Sequence, residues 1–304
     1  MSRPLKVGVQ LPEVERVVRW PELREMAQTA EGIGLDSIWV GEHLLYRYTD
    51  RPPNGPWEAW STMAALAAVT ERAQIGPLVA CTAFHNPAVL AKQAAALDEI
   101  SGGRLILALG AGWNETEFGA FGIPFDQRVS RFEEAFTIIR ELLRSGQTDV
   151  RGRFHQAPEC ELLPPPTRPG GPPLMVGSLG ERMLGLTLPH VDAWNAWYEW
   201  FGNSPAGYRA VRDQVDTACR AVGRDPDEVE RTVALLVAFP GATGRLMGDT
   251  GQERVQPIPS AADELAAALG AFAAEGIAHV QLVLDPITVE SIAGLAPALE
   301  LLDR

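Results

Sequence analysis

The stretch Gly103–Asn114, with the sequence GRLILALGAGWN, is the part of the chain from which the fold is most directly inferred. Its five apolar residues Leu105–Leu109 follow one another without polar alternation, which is typical of a strand buried on both faces in a parallel sheet. Gly110 and Gly112 come directly after this run and allow another group to approach the backbone closely. Because ligands bind at the carboxyl ends of parallel strands, we expect chemistry at this turn.

Units of a strand followed by a helix recur on both sides of this stretch. Strands are predicted at Leu5–Leu11, Asp36–Gly41, Ala73–Thr82, Leu105–Leu109, Leu174–Gly177, Val191–Ala196, Arg231–Phe239 and Ala278–Asp285, and the last helix at Val289–Leu302. Eight units in 304 residues, with no linker, predict an α/β fold of the (β/α)8 TIM-barrel type, in one domain over residues 1–304. A doubly wound sheet is the alternative, and it usually has fewer repeats or a second domain.

Two segments interrupt the repeat and are predicted as insertions. Residues 145–173 are rich in proline and glycine, and we expect a hairpin around Val150–His155 within them. Residues 241–259 form a second glycine- and proline-containing excursion, which is predicted to be mobile.

Charge and cysteine content exclude several classes of protein. A net charge of -13 argues against a nucleic-acid-binding or membrane-surface role, since both need basic patches. The three cysteines have no metal-ligand spacing and suit a reducing compartment. No apolar run reaches about 18 residues, and the N-terminus lacks a signal pattern, so we expect a cytoplasmic protein.

Residues at the predicted strand ends supply the candidate chemistry. Glu42 and His43 follow the second strand, and the ordinary histidine pKa near 6.5 suits proton transfer. The alternative is a histidine that only satisfies loop backbone. None of the 5 histidines has metal-ligand spacing with another, so no metal site is expected.

Two glycine-containing turns are candidate nucleotide or phosphate sites. Gly110-Ala111-Gly112 lacks the third glycine of a dinucleotide fingerprint, because that position is Glu115. Gly177-Ser178-Leu179-Gly180 follows the fifth strand and opens a helix, where free backbone N–H groups favour a phosphate. An ordinary loop is the alternative for each turn.

Tryptophans are concentrated near the predicted strand ends. Trp113 ends the fourth strand, and other tryptophans follow the second and sixth strands. This placement suits an apolar pocket for a planar ring system. The expected substrate contacts are Gln10 of the first strand, Trp57, Trp194 and Trp197. The alternative is a loop packed under its own aromatic residues, or a subunit interface.

Four motifs, in the same order along the chain, resemble motifs of the bacterial luciferase-like superfamily. They are Gly34–His43 (GLDSIWVGEH), Asn86–Gln93 (NPAVLAKQ), Ser101–Glu115 and Asp192–Asn195 (DAWN). This superfamily contains flavin-dependent monooxygenases and oxidoreductases that use the deazaflavin coenzyme F-420 (F420). Each motif is weak alone, and the four in order are specific.

The resemblance implies a barrel that binds reduced FMN or F420 across the carboxyl ends of its strands. The ring would lie near Cys81, Thr82 and Ala83, where relatives often have a non-prolyl cis peptide. The side chain of the cofactor would follow Gly110, Ala111, Gly112, Trp113 and Asn114. Its phosphate would bind at Gly177, Ser178, Leu179 and Gly180. His43, with Glu42 beside it, would be the catalytic residue next to the ring.

Two positions depart from the pattern of the resemblance. Ala111 stands where some flavin-using relatives have an arginine for the phosphate, so the turn at Gly177–Gly180 would carry more of that task. Trp113 stands where deazaflavin dehydrogenases of sugar phosphates have a glutamate. The second departure argues against a sugar-phosphate substrate.

The implied function is a luciferase-like oxidoreductase or monooxygenase that acts on an apolar or aromatic organic molecule. Reduced FMN would serve oxygen chemistry and would call for a separate flavin reductase, whereas F420 would exchange a hydride with the substrate directly. A homodimer is expected, with neither nucleic acid nor a membrane as partner.

Two other kinds of protein fit a barrel of this type. A non-catalytic flavin-binding carrier or sensor would bind the cofactor without substrate-dependent reoxidation. An aldo-keto reductase using a nicotinamide would need a Tyr/Lys/His/Asp tetrad at the strand ends, and Tyr46 and Tyr48 have no lysine beside them.

Overall fold

The apolar runs of the sequence form the strands of a parallel barrel. The computed structural model describes residues 3–249 and 255–304. Its strands are β1 (Lys6–Gln10), β2 (Ser37–Val40), β3 (Gln74–Pro77), β4 (Ala80–Cys81), β5 (Leu107–Gly110), β6 (Gln147–Arg151), β7 (Gln156–Glu161), β8 (Leu174–Val176), β9 (Ala193–Ala196), β10 (Glu230–Ala238), β11 (Ile258–Pro259) and β12 (His279–Asp285). β6 and β7 form an antiparallel hairpin, and the others belong to one parallel sheet.

The parallel sheet closes on itself at the third strand position of the barrel, which is occupied by two short strands, β3 and β4. The strand order is β3-β2-β1-β12-β10-β9-β8-β5-β4, with β11 beside β10. Ile75 of β3 bridges Leu105 just before β5, and Ala80 of β4 pairs with Leu109 of β5. The parallel strands therefore form a ring, and the predicted TIM barrel is confirmed. The single domain over residues 1–304 stays a prediction.

The third strand of the barrel is interrupted, although the sequence predicted one continuous strand over Ala73–Thr82. A non-prolyl cis peptide joins Leu78 to Val79 between β3 and β4. The resemblance placed such a bond near Cys81–Ala83, so its position has to be corrected to a point upstream of that segment. After β4 the chain turns into a short 3-10 helix instead of continuing as a strand.

Ten helices connect the strands in the described ranges. They are α1 (Trp20–Gly32), α2 (Ala59–Val69), α3 (Pro87–Ile100), α4 (Glu115–Phe121), α5 (Arg128–Ser145), α6 (Glu181–Thr187), α7 (Pro205–Ala221), α8 (Ala262–Ala274), α9 (Val289–Ala293) and α10 (Ala296–Leu302). The sequence did not predict α4, and the predicted helix Val289–Leu302 is divided at Gly294. Within these ranges no helix has the length and apolarity that a membrane crossing requires.

Capping side chains fix the starts of helix α2, which follows β2, and helix α3, which follows β4. The Glu58 side chain accepts hydrogen bonds from the backbone N–H groups of Trp60 and Ser61 at the start of α2. The Asn86 side chain does the same for the first turn of α3, whose first residue is Pro87. These caps satisfy N–H groups that have no partner inside the helix.

Polar side chains buried within the barrel pair with one another. The Nε2 of His279 lies 2.7 Å from the hydroxyl of Ser37, and burial lowers the pKa of His279 to about 3. The amide of Asn195 donates to Thr232 and to Gln281, each at 2.7 Å. His279 is therefore neutral at physiological pH, and its role is to support the fold.

The insertion at residues 145–173 contains the predicted hairpin and is attached to the barrel by an ion pair. The hairpin consists of β6 and β7. Further along, the Arg168 guanidinium donates to both oxygens of Asp98, at 2.9 and 2.5 Å, and to the carbonyl of Leu105. Asp98 is fully buried, so the Arg168 guanidinium takes the place of water as its partner.

Loss of the Arg168 guanidinium should destabilise the protein strongly. Arg168→Ala leaves the Asp98 carboxylate buried without its cation, and we expect a loss of about 3 kcal/mol in the free energy of unfolding. Arg151→Ala is the matched control, because Arg151 pairs with Asp149 on the exposed hairpin and such pairs contribute about 0–1 kcal/mol. Urea unfolding followed by circular dichroism measures both. Equal losses in the two variants would contradict the assignment.

Candidate active site

A cavity of about 470 Å³ opens at the carboxyl ends of the barrel strands. Its walls come from the ends of β2, β4, β5, β8 and β9, together with the first turn of α5 and part of the segment after β10. A volume in this range suits a ligand of cofactor size. This cavity is the candidate active site.

The structure brings together most of the residues that the sequence singled out. Those that line the cavity are Glu42, His43, Cys81, Gly110, Ala111, Gly112, Trp113, Gly177, Ser178, Leu179, Gly180 and Trp197. Those that do not line it are Gln10, Thr82, Ala83, Asn114, Trp57 and Trp194. The second group requires corrections.

Two of the expected substrate contacts face away from the cavity. Trp57 is 51% exposed, and its indole N–H donates to the carbonyl of Val18 on the outer surface. Trp194 is fully buried in β9, and its indole N–H donates to the carbonyl of Ser178 at 2.8 Å. Trp194 therefore supports the turn at Gly177–Gly180 from behind, and neither tryptophan can contact a ligand in the cavity.

Gln10 and the two residues after Cys81 also lie behind the residues that line the cavity. The buried amide of Gln10 donates to Glu13 at 2.7 Å, so Gln10 supports a wall residue instead of a substrate. Thr82 donates to the carbonyl of Gly110, and Ala83 lies in the 3-10 helix that follows β4. Burial raises the pKa of the Cys81 thiol, which keeps it protonated.

Asn114 is turned towards the loop after β2. Its amide donates to the carbonyl of Leu45 at 3.0 Å, and the residue itself precedes α4. The wall next to Cys81 is instead completed by Leu78 and Val79, the two residues of the cis peptide.

His43 is held at the cavity by two buried carboxylates. Its Nδ1 lies 2.8 Å from Glu117, and because a carboxylate only accepts, this bond requires a proton on Nδ1. Glu117 is 1% exposed and also accepts from the backbone N–H of Leu44 at 2.7 Å. The Nε2 of His43 faces Glu13 at 3.7 Å. The ring is thus oriented, and Nε2 is the nitrogen left for proton exchange.

The surrounding charges favour the protonated form of His43. Burial alone would lower the pKa of His43, but the hydrogen bond with Glu117 and the negative charge of Glu13 outweigh it and raise that pKa. For Glu13, burial would raise the pKa, but His43 and Arg245, with a hydrogen bond from Tyr46, lower it. His43 and Glu13 therefore stabilise each other as ions.

Arg245 comes from the segment 241–259, which the sequence predicted to be mobile. Its side chain is 1% exposed, and it donates to Glu13 at 3.0 Å and to Glu15 at 2.8 Å. Burial opposes the charge of Arg245, but the two carboxylates hold its pKa well above the ordinary value. The described part of this segment is therefore anchored at the cavity, and residues 250–254 lie outside the described residues.

The carboxylate of Glu42 lines the cavity but is occupied by three donors. It accepts from the indole N–H of Trp60 at 2.9 Å, from His85 at 2.7 Å and from the backbone N–H of Cys81 at 2.6 Å. These bonds tie the end of β2 to the start of the 3-10 helix after β4. Glu42 therefore positions the cavity wall, and its catalytic role stays a prediction.

Arg128 supplies a positive charge near the glycine turn. It is the first residue of α5, its guanidinium lies 3.7 Å from the centroid of the Phe125 ring, and it forms no ion pair with a described residue. Arg182 of α6 donates to Ser130 at 3.0 Å, which brings the first turn of α5 next to Gly177–Gly180. This end of the cavity favours an anionic group.

The residues of the cavity fit a flat ring system with an anionic tail. A Cβ added at Gly110 would lie 2.7 Å from Val79, and Gly112 has a φ of +80° with Cys81 close by, so both positions require glycine. The buried indole N–H of Trp197 has no hydrogen-bond partner among the described residues and is available to a ligand. No group of three His, Cys, Asp or Glu side chains in the described chain could hold a metal ion.

Sequence reasoning missed several residues of the site. Glu13 could have been found, because it follows the first strand directly at its carboxyl end. Glu117 lies just beyond the recognised motif at Ser101–Glu115, and only the short helix α4 brings it to His43. Arg128 and Arg245 carry no local signal, since their positions depend on contacts far apart in the sequence.

Comparisons with known proteins agree with this barrel fold. An F420-dependent glucose-6-phosphate dehydrogenase of Amycolatopsis mediterranei (strain U-32) is 35% identical over 170 residues, 54% of this chain and 50% of that protein. Pyrimidine monooxygenase RutA of Caulobacter sp. (strain K31) is 31% identical over 173 residues, 55% of this chain and 48% of that protein. The matches therefore span about half the length of these two curated relatives.

A solved structure with a similar fold is an F420-dependent secondary alcohol dehydrogenase in complex with an F420-acetone adduct. It superposes with a TM-score of 0.81 at 20% identity, over 98% of this chain and 99% of the other. At this identity the likeness concerns the fold.

The sequence model of the luciferase-like monooxygenase family matches residues 5–240, which is most of the chain. The match includes the strands from β1 to β10, whereas β11 and β12 of the same parallel sheet lie after it. The chain belongs to the luciferase-like monooxygenase family.

Proposed function

We propose that this protein is an oxidoreductase that exchanges a hydride between F420 and the hydroxyl or carbonyl carbon of an organic substrate. The observation that carries this proposal is His43 at the cavity, oriented by Glu117 and with a raised pKa, because alcohol and carbonyl chemistry needs an acid or base. The F420-dependent relatives support the choice of cofactor.

F420, when bound, supplies or accepts the hydride, and the chain supplies the proton transfer. In reduction, the Nε2 of His43 donates a proton to the carbonyl oxygen of the substrate. In oxidation, the same atom removes the proton of the hydroxyl group. Glu117 keeps the other nitrogen protonated and so fixes the ring orientation.

The two ends of the cavity would bind different parts of the ligands. Arg128 and the turn at Gly177–Gly180 would hold the anionic tail of the cofactor. Gly110 and Gly112 leave room for the side chains of Val79 and Cys81, which form the wall that the ring would lie against. Trp113, which is 5.3 Å from His43 between ring centroids, would shield the reacting atoms from water.

Monooxygenation with reduced FMN is the second candidate function. It is favoured by the similarity to a pyrimidine monooxygenase and by the tryptophan-rich cavity wall. It would use a separate flavin reductase as partner. A non-catalytic flavin-binding carrier or sensor is a third possibility, against which the buried charges around His43 argue, because a carrier has no use for an oriented acid. The expected homodimer and the cytoplasmic location belong to this proposal as well.

Anaerobic titration should show which cofactor the cavity prefers. We expect F420 to saturate the protein at lower concentration than reduced FMN. Arg128→Ala should weaken F420 binding about tenfold, since it removes one charge-assisted contact worth about 1.4 kcal/mol. Arg151→Ala is the control, because Arg151 pairs with Asp149 on the exposed hairpin and does not line the cavity. Tighter binding of reduced FMN would favour the monooxygenase, and equal losses in the two variants would contradict the role of Arg128.

The protonation of His43 should depend on Glu117. Glu117→Gln removes the negative charge at Nδ1, so we expect the pKa of His43, raised in the wild type, to fall by about one unit. NMR titration of labelled histidine measures it, with His43→Asn to assign the resonance. Glu115→Gln, on the exposed side of the same helix, should leave the pKa of His43 unchanged.

The same pKa fixes the sign of the pH dependence. Ketone reduction needs protonated His43 and should slow as the pH rises through the raised pKa, whereas oxidation of secondary alcohols should speed up over the same range. In Glu117→Gln both midpoints should move to lower pH. Rates that do not respond to pH in this range, with His43→Asn fully active, would refute the assignment of His43.

A further inference from the structure

We propose that Glu199 is a specificity-determining residue and that the substrate carries a basic amino group, which binds as an ammonium ion against this carboxylate and the adjacent tryptophans. The inference rests on the proposed function in one respect, namely that this cavity is the substrate site.

Glu199 lies in the wall of the cavity next to two tryptophans. It belongs to the 3-10 turn Tyr198–Phe201, directly after β9, and lines the cavity together with Trp197 and Trp200. Trp200 is 39% exposed although it is a large apolar side chain. The carboxylate and the indole rings therefore face the same space.

The carboxylate of Glu199 differs from the other carboxylates of the cavity because it lacks a dedicated donor. Glu13, Glu42 and Glu117 each accept hydrogen bonds from fixed neighbours. The groups that lower the pKa of Glu199 are Arg245 and the Trp197 indole. The guanidinium of Arg245 is engaged elsewhere, and the indole N–H lies outside hydrogen-bonding geometry.

Burial without such a donor has a measurable consequence for Glu199. Burial raises the pKa of its carboxyl group, and the charge of Arg245 and the nearby Trp197 only partly oppose that effect. A half-buried carboxylate with little compensation is stabilised by any ligand that brings a positive charge and hydrogen-bond donors.

The charges on this side of the cavity also select against anions. Glu13, Glu15 and Glu117 face Arg245 and His43, so one negative charge is in excess even when His43 is protonated. Glu199 adds another negative charge on the same side. Arg128, which has no ion-pair partner among the described residues, lies by the glycine turn and does not contribute to the pKa of Glu199. A phosphate or carboxylate on the substrate would be repelled here.

The tryptophans supply the second half of the binding site. An indole face attracts a cation by its quadrupole. Trp197 already has the Arg245 guanidinium 5.4 Å from its ring centroid, so its surroundings accommodate positive charge. An ammonium group offers three donors and a full charge, whereas a neutral hydroxyl offers one donor and leaves the charge of Glu199 uncompensated.

Matched ligands test this inference without any turnover. Isothermal titration calorimetry would compare 2-phenylethylamine with 3-phenylpropionate, which share an aromatic ring and differ in charge. In the wild type we expect the amine to bind about tenfold more tightly, which corresponds to about 1.4 kcal/mol. Glu199→Gln keeps the shape and removes the charge, so the two ligands should then bind within about threefold of each other. Glu300→Gln, exposed on α10, should preserve the wild-type preference.

The outcomes separate this inference from the proposed function. Equal binding of the two ligands to the wild type, binding of neither, or a preference that survives Glu199→Gln would overturn the role of Glu199. The titrations with F420 and FMN test the cofactor independently. A protein that binds F420 but shows no preference for the amine would retain the proposed function and lose this substrate class. The reverse result would retain the amine site and lose the cofactor.

Discussion

The cavity of this barrel depends on one constraint, namely that charges removed from water must be paired. His43, Glu13, Glu117 and Arg245 are all buried or nearly so, and each is within reach of an opposite charge. An isolated buried ion would be neutralised or would destabilise the fold by several kcal/mol, on the order of 3–5 when one partner is lost. The network can exist only if the chain brings all of these side chains together at the same time.

That requirement explains the architecture of the barrel mouth. The four ions come from the end of β1, the end of β2, the helix α4 and the segment after β10, which are far apart in the sequence. Their pairing fixes three loops against one another, and it also fixes the proton on His43. Orientation of the acid and order of the loops therefore have the same physical cause, so a change in one of the carboxylates would alter both.

The barrel could be predicted from the sequence because each strand is indicated by a short run of neighbouring residues. Runs such as Leu105–Leu109 are apolar without alternation, and eight predicted strands, each followed by a helical segment, occur along the chain. The same reasoning found His43 and the glycine turns, which follow those runs directly. It failed where the outcome depends on side-chain direction or distant contacts: Trp57 turns to the outer surface, Trp194 turns behind the wall, and Arg245 is buried by partners more than two hundred residues away.

The wall of the cavity carries opposite charges at two places, one suited to the cofactor and the other to the substrate. Arg128 lies beside the glycine turn, whereas Glu199 lies beside Trp197 on the side of the His43 network. Two ligands that share the cavity would then be sorted by charge, the anionic tail to one end and the cationic group to the other. Such sorting would bring the substrate to the side of the cavity on which His43 lies. The charged ends thus serve orientation as much as affinity, because proton transfer depends on the distance between the reacting atoms.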